Sequence, residues 1–151
     1  MEFVSDDRES SVTLVLAEVD DSPYNLSIKL AIAVKDRAFY GTIAPWFEKD
    51  NFQQFVRQFE LCVKSGRDSA QLASISPEQV EIHVERSDNI GHFMLLYKVG
   101  ADNYLRVGIT RTVLAGGFDL DSGYLQEYTS SLEELATEAS TRQTSNGPES
   151  S

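Results

Sequence analysis

Period-two alternation dominates the first third of the chain. Leu26, Ile28, Leu30, Ile32 and Val34 alternate with Asn25, Ser27, Lys29, Ala31 and Ala33, which predicts a strand with one buried face. Before it, Ser11–Glu18 is rich in β-branched residues and is followed by Asp20-Asp21-Ser22-Pro23. Lys35-Asp36-Arg37 reads as a short hairpin connection, after which Ala38–Ala44 resumes a strand composition that Pro45 stops. From Asp50 the period changes: Phe52, Phe55, Val56, Phe59, Cys62 and Val63 fall on one helical stripe, opposite Gln53, Arg57, Glu60 and Lys64. Asp50, with Gln53 three residues on, is the expected N-cap, and Gly66 the expected C-terminal stop.

Beyond a strand expected at Ala70–Ile75, Val80, Ile82 and Val84 alternate toward Ser87-Asp88-Asn89-Ile90. A two-residue turn on Asp88-Asn89 would set Val84 opposite Phe93, Ile82 opposite Leu95 and Val80 opposite Tyr97, with Glu85 opposite His92. A loop at Ala101-Asp102-Asn103, with Asn103 left-handed, would then set Val99 opposite Leu105, Tyr97 opposite Val107 and Leu95 opposite Ile109. Ala115-Gly116-Gly117 is read as the end of this meander, and Gly116-Gly117 as a turn. Leu120, Tyr124, Leu125, Tyr128, Leu132, Leu135 and Ala139 recur at helical spacing and predict a second amphipathic helix. Its wet side carries Asp119, Asp121, Glu127, Glu133, Glu134 and Glu138 without a Lys or Arg before Ala139.

The expected fold class is therefore α+β: a largely antiparallel β-sheet with two amphipathic helices, about residues 50–65 and 121–139. Length favours one domain over residues 1–139. Residues 140–151, rich in Ser, Thr, Gly and Pro, are expected to be a disordered tail.

Charge narrows the choice of partners. The chain has 24 Asp and Glu against 13 Lys and Arg, net −11, and no basic block, so direct nucleic-acid binding is not expected. The converse expectation is a basic protein partner, because complementary potentials accelerate encounter; the alternative use of surplus acid is solubility alone. The single Cys62 leaves no intramolecular disulfide to form, the chain does not open on a signal peptide, and no apolar run reaches the ~18 residues of a membrane helix. A cytosolic protein is expected.

No catalytic motif is present: Gly-x-Ser-x-Gly, the Walker loop, Gly-x-Gly-x-x-Gly and His-Glu-x-x-His are all missing, so no enzyme activity, cofactor or metal is expected. His83 and His92, beside Glu81 and Glu85 on one sheet face, suit solvated cross-strand pairs better than a metal site. Cys62, on the Phe55 and Phe59 stripe, reads as core. Trp46, in Pro45-Trp46-Phe47 between strand and helix, reads as a staple onto the sheet, with a partner contact as the alternative.

The succession of the strand Leu26–Val34, Phe39-Tyr40-Gly41, the helix with Phe52, Phe55 and Phe59, the strand Gln79–Glu85, the hairpin at Asn89-Ile90-Gly91, and Tyr124-Leu125 followed by Leu132 and Leu135 resembles the WapI-like bacterial immunity proteins. The resemblance spans Ser11–Ala136 and lies in patterning. It implies a small cytosolic protein that binds and blocks a toxin domain, with acidity suited to a basic nuclease, and no shared active site to carry over. The expected partner-binding residues are Glu81, Glu85, Glu127, Glu134, Glu138 and Trp46. The alternatives are a small-molecule binder or enzyme with an aromatic-lined pocket between sheet and helix, near Trp46, Tyr97 and Tyr124, and a homo-oligomer that pairs exposed strands.

Overall fold

The computed structural model describes residues 1–142. Alternation over Ser11–Val34 produces a long antiparallel hairpin, β2 (Ser10–Ser22) with β3 (Asn25–Asp36). Val12, Leu14, Leu16 and Val19 of β2 and Ile28, Leu30, Ile32 and Val34 of β3 are buried, while Leu26, near the turn, is exposed. The register shifts between Leu16 and Glu18, a bulge that keeps Val19 on the inner face although it breaks the odd–even pattern. Glu2–Val4 forms a short β1 on the outer edge of β2 and delivers Phe3 to the core. Pro45 separates β4 (Phe39–Ile43) from β5 (Trp46–Glu48), and both pair with β3. This is the first sheet.

Helix α1 (Lys49–Ser65) buries Phe52, Phe55, Val56, Phe59 and Cys62, as the stripe requires. Its N-cap is Glu48 rather than Asp50, with no side-chain cap. The reason is tertiary: Glu48 is held extended by pairing with Ser27, so β5 runs straight into the first helical turn. Asp50 instead lies in that turn, where the helix dipole favours a carboxylate. Gly66, at φ 64, stops the helix and donates to the Cys62 carbonyl.

The second sheet runs β6 (Ser69–Ala73), β7 (Val80–Arg86), β8 (Phe93–Leu105), β9 (Gly108–Asp119), all antiparallel. Its first hairpin pairs Val84 with Leu95, Ile82 with Tyr97 and Val80 with Val99, two residues away from the expected register. Asp88 is responsible, since its Oδ1 accepts from the N–H groups of Ile90 and His92 (2.9 and 3.2 Å) and organises a longer loop over Ser87–His92. An even shift leaves every side chain on the expected face, so the burial pattern survives. Glu85 therefore faces Met94 rather than His92.

The next turn falls at Arg106-Val107, not at Ala101-Asp102-Asn103. Those polar residues continue β8 because each finds a cross-strand partner: Asp102 approaches Arg111 (3.7 Å), and Asn103 donates to Thr112 (2.9 Å). Val99 consequently faces Leu114, Tyr97 faces Gly116 and Leu95 faces Phe118, and Gly116-Gly117 lies inside β9 rather than in a turn. The outer part of β8 and β9 projects as a two-stranded ribbon with little burial.

A 3₁₀ turn at Ser122–Tyr124 precedes α2 (Leu125–Thr141), so the second helix starts later than residue 121 and passes Ala139 through Ser140 and Thr141. Residues 143–151, the rest of the expected tail, lie outside the described residues. Tyr128, Leu132, Leu135 and Ala139 form its buried face. The two helices pack side by side, α1 also lying on β6 and α2 on β2. Phe3 sits between them and the sheet, its ring centroid 5.6 Å from Phe59 and 5.3 Å from Tyr128. Among the described residues no helix is long and apolar enough to cross a membrane.

Candidate binding cleft

Where the β2–β3 hairpin ends beside β9, the two sheets leave an open cleft of about 1040 Å³. One wall is the chain from Ser5 to Ser10 with Asp36–Phe39, and the other is β9 from Val113 to Asp119. Its charged lining is Asp6, Asp7, Asp36 and Asp119 against Arg37 alone. Complementarity thus favours a cationic ligand.

The floor depends on a glycine. Tyr97, almost fully buried, leans across Gly116 and donates a short hydrogen bond to Asp36 Oδ2, joining β8 to the end of β3 and so one sheet to the other. A Cβ on Gly116 would stand 2.7 Å from the phenol oxygen and 3.0 Å from Asp36 Oδ2, so only glycine leaves room for that bond. Asp36 Oδ1 accepts from Ser10 Oγ at 2.8 Å. Burial, followed by the bond and charge of Asp36, pushes the Tyr97 phenol far above its ordinary range. It remains a protonated donor at neutral pH and cannot serve as a base.

The facing wall is pinned by Asp7, whose Oδ1 accepts from Ser5 Oγ (2.6 Å) and from the Glu9 N–H (3.1 Å). Those hydrogen bonds, the Ser5 one foremost, hold its carboxyl below the usual range, with Arg37 3.8 Å away adding to the effect. Asp6 and Asp119 form no ion pair among the described residues, and their charges reach His92.

The residues singled out from sequence lie elsewhere. Glu127, Glu134 and Glu138 share one exposed stripe of α2, as their i, i+7, i+11 spacing dictates. Glu138 pairs with Arg142, whereas Glu127 and Glu134 have no ion pair among the described residues. The hydrogen bond and charge of Glu60 raise the pKa of Lys64 on α1, and the nearby charge of Glu133 adds to it. Asp121 caps the 3₁₀ turn through the Gly123 N–H and pairs with Arg8 at 3.1 Å, while Asp119 ends β9, so neither belongs to the helix. The helical stripe is thus acidic but shorter than the run of carboxylates suggested.

Glu81 and Glu85 do share the outer face of the second sheet. Glu85 bonds His83 Nε2 (3.1 Å), and His92 bonds Asp88 instead of the expected Glu85. No group of three or more His, Cys, Asp and Glu is placed to hold a metal among the described residues. Cys62 is buried, donates weakly to the Asp68 carbonyl at 3.4 Å, and burial raises its thiol pKa, which suits a packed side chain rather than a nucleophile.

Trp46 is half-buried in β5, its carbonyl accepting from Ile75 N–H (2.9 Å) and its ring 6.0 Å from Lys29 Nζ. Trp46, Tyr97 and Tyr124 do not converge: Trp46 borders a shallow depression with Ile43, Pro45 and Ile75, Tyr97 floors the cleft, and Tyr124 stacks with Arg8 and Tyr128. The cleft lies between two sheets, and a smaller hollow of about 330 Å³ between α1 and β6, lined by Gln58, Leu61, Asp68 and Ser69, holds no aromatic side chain. What sequence reasoning missed was Asp36 and its bond with Tyr97 across Gly116; the available signal was a glycine pair flanked by strand formers, which marks close backbone approach as well as a turn.

Comparison of the chain with family models, with curated proteins and with solved structures gives no match.

Proposed function

We propose that the chain is a non-catalytic binding protein that captures a basic protein partner. The observation that carries this is the cleft beside β9, lined by Asp6, Asp7, Asp36 and Asp119 with only Arg37 opposing them. The exposed Glu127 and Glu134 on α2 and the Glu81 and Glu85 face extend the same negative potential over the net −11 surface, which suits long-range steering. The phenol of Tyr97 holds its proton and Cys62 is buried, so neither supports an activated nucleophile. The immunity role implied by the patterned resemblance names a partner class with the required charge, a basic toxin domain in the bacterial cytosol.

Affinity capture with the full chain, followed by stopped-flow association at low and high salt, tests the reading. Screening shortens the reach of these charges from about 10 Å at 0.1 M salt to about 3 Å at 1 M, so the association rate should fall steeply. Replacing Asp6 and Asp119 by Asn, with Asp7 kept because it pins the wall, should slow association about tenfold while the unfolding midpoint stays in place. A tight partner captured at a salt-independent rate contradicts the reading. Growth rescue on co-expression with a basic toxin, abolished by the same two substitutions, would support the immunity role.

A further inference from the structure

Among the described residues, the terminal strands of the two sheets other than β9 are short or covered, and the unpaired stretch of β2 beyond β1 carries a bulge and Glu18, Asp20 and Asp21. β1 has 3 residues, β4 has 5, and β6, also 5, lies against α1. β9 is 12 residues long and ends the second sheet. It carries none of the usual guards: it has no proline, its register with β8 is unbroken, and between Gly108 and Phe118 its only charge is Arg111. That guanidinium turns away to Glu78 (3.0 Å) and Asp102 (3.7 Å).

The ladder identifies the open groups. Leu120 N–H donates to the Phe93 carbonyl, and bonded pairs alternate in an antiparallel ladder. The even-numbered residues Thr110, Thr112, Leu114, Gly116 and Phe118 therefore bond to β8, whereas Ile109, Arg111, Val113, Ala115 and Gly117 turn their N–H and C=O groups outward. Asp119 follows the same rule, and its outward carbonyl is taken by the Asp6 N–H at 3.0 Å. The chain itself thus closes the last step of this edge and leaves the rest exposed, with Ile109 at 62% and Val113 at 45% of full exposure.

We propose, resting on the basic-partner reading, that β9 accepts an extended strand of that partner, one with Lys or Arg alternating with β-branched residues. Side chains of an added strand alternate between two environments. One set reaches the cleft with its carboxylates, and the other lies along the exposed Ile109 and Val113. A second copy of this chain is a poor occupant, since each copy carries net −11 and its β9 brings only an Arg111 already engaged by carboxylates. Residues 143–151 hold Glu149 and no Lys or Arg, so they too lack the charge the cleft selects.

The probe is a fluorescent peptide of about nine residues alternating Val and Lys, long enough to span the open edge. Two companions carry Glu for Lys, or N-methyl groups on the amides along one edge. Anisotropy with the full wild-type chain should show binding of the parent peptide and at least a tenfold loss for both companions. Ala115→Pro removes an outward N–H without touching the ladder to β8, and should lose the parent peptide to the same extent with its circular dichroism unchanged. Hydrogen exchange should slow at Arg111, Val113, Ala115 and Gly117 in the peptide complex.

Equal binding of the N-methylated and parent peptides by the wild-type chain overturns strand addition and leaves the acidic-surface reading standing. Equal binding of the Glu peptide overturns the basic occupant and that reading together. A wild-type dimer in light scattering that Ala115→Pro dissociates assigns the edge to a second copy and overturns the proposal. Failure to bind any of the peptides also overturns it.

Discussion

Tyr97→Phe removes one oxygen and with it the hydrogen bond that ties β8 to the end of β3. The ring keeps its packing, with the Phe118 centroid 6.4 Å away, so no cavity forms and the loss is that of the bond. Hydrogen bonds to a charged acceptor contribute about 1.5–3 kcal/mol. Asp36 retains Ser10 on its other oxygen, and the open cleft lets water reach the vacated one, so the lower part of that range, about 1.5–2 kcal/mol, is expected. At about 2–4 °C per kcal/mol for a chain of this size, the melting midpoint should fall by roughly 3–8 °C. Urea unfolding followed by Trp46 fluorescence at neutral pH measures it. A cycle with Asp36→Ala should return a coupling of about 1 kcal/mol or more, because the two residues touch. Alkali supplies an independent check. The folded phenol keeps its proton above the ordinary value, so the native state binds more protons than the unfolded chain above about pH 10, and stability falls as pH rises there. Tyr97→Phe should flatten that decline, leaving the part due to Tyr128, whose pKa burial also raises. A variant within about 0.5 kcal/mol of wild type, with the same alkaline slope, would refute the claim that this bond joins the sheets.

Gly116→Ala places a methyl against the same phenol and should cost about 1–3 kcal/mol by crowding, with a smaller cost in the Tyr97→Phe background; additive effects in chemical denaturation would contradict the contact. Phe59→Ala should lose about 3–5 kcal/mol of unfolding free energy, since the ring is fully buried against Phe3, and a loss below about 1 kcal/mol would show the α1 stripe is not core. The hydrogen bond and charge of Asp88 raise the His92 pKa, so its stabilising contribution is complete below the unfolded value near 6.5 and fades as pH rises through the higher folded value. Proton NMR of the imidazole should show His92 titrating above the ordinary histidine range and returning toward it in Asp88→Asn.

Periodicity alone determined much of the architecture. The alternating residues Ile28–Val34 of β3 and the Phe52–Cys62 stripe of α1 are buried, with Leu26 at the turn the exception, and Gly66 stops the helix, because these depend on local geometry and on which face must leave water. The even-numbered slip at Val80–Val84 shows the limit: burial fixes the face of a strand, whereas the register was set by Asp88 gripping two loop amides. Asp102 and Asn103 read as a loop since the side chains they engage on β9, Arg111 directly opposite and Thr112 on the diagonal, become neighbours only once the ribbon forms. The site was decided by tertiary structure for the same reason. Net acidity is a property of composition, but a binding cleft needs Asp36 beside Tyr97, 61 residues later, and Gly116 beneath both, and those neighbours exist only where two sheets meet. A sequence states which side chains carry charge; packing decides which of them pair internally, as Asp121 does with Arg8, and which, like Asp6 and Asp119, form no ion pair among the described residues.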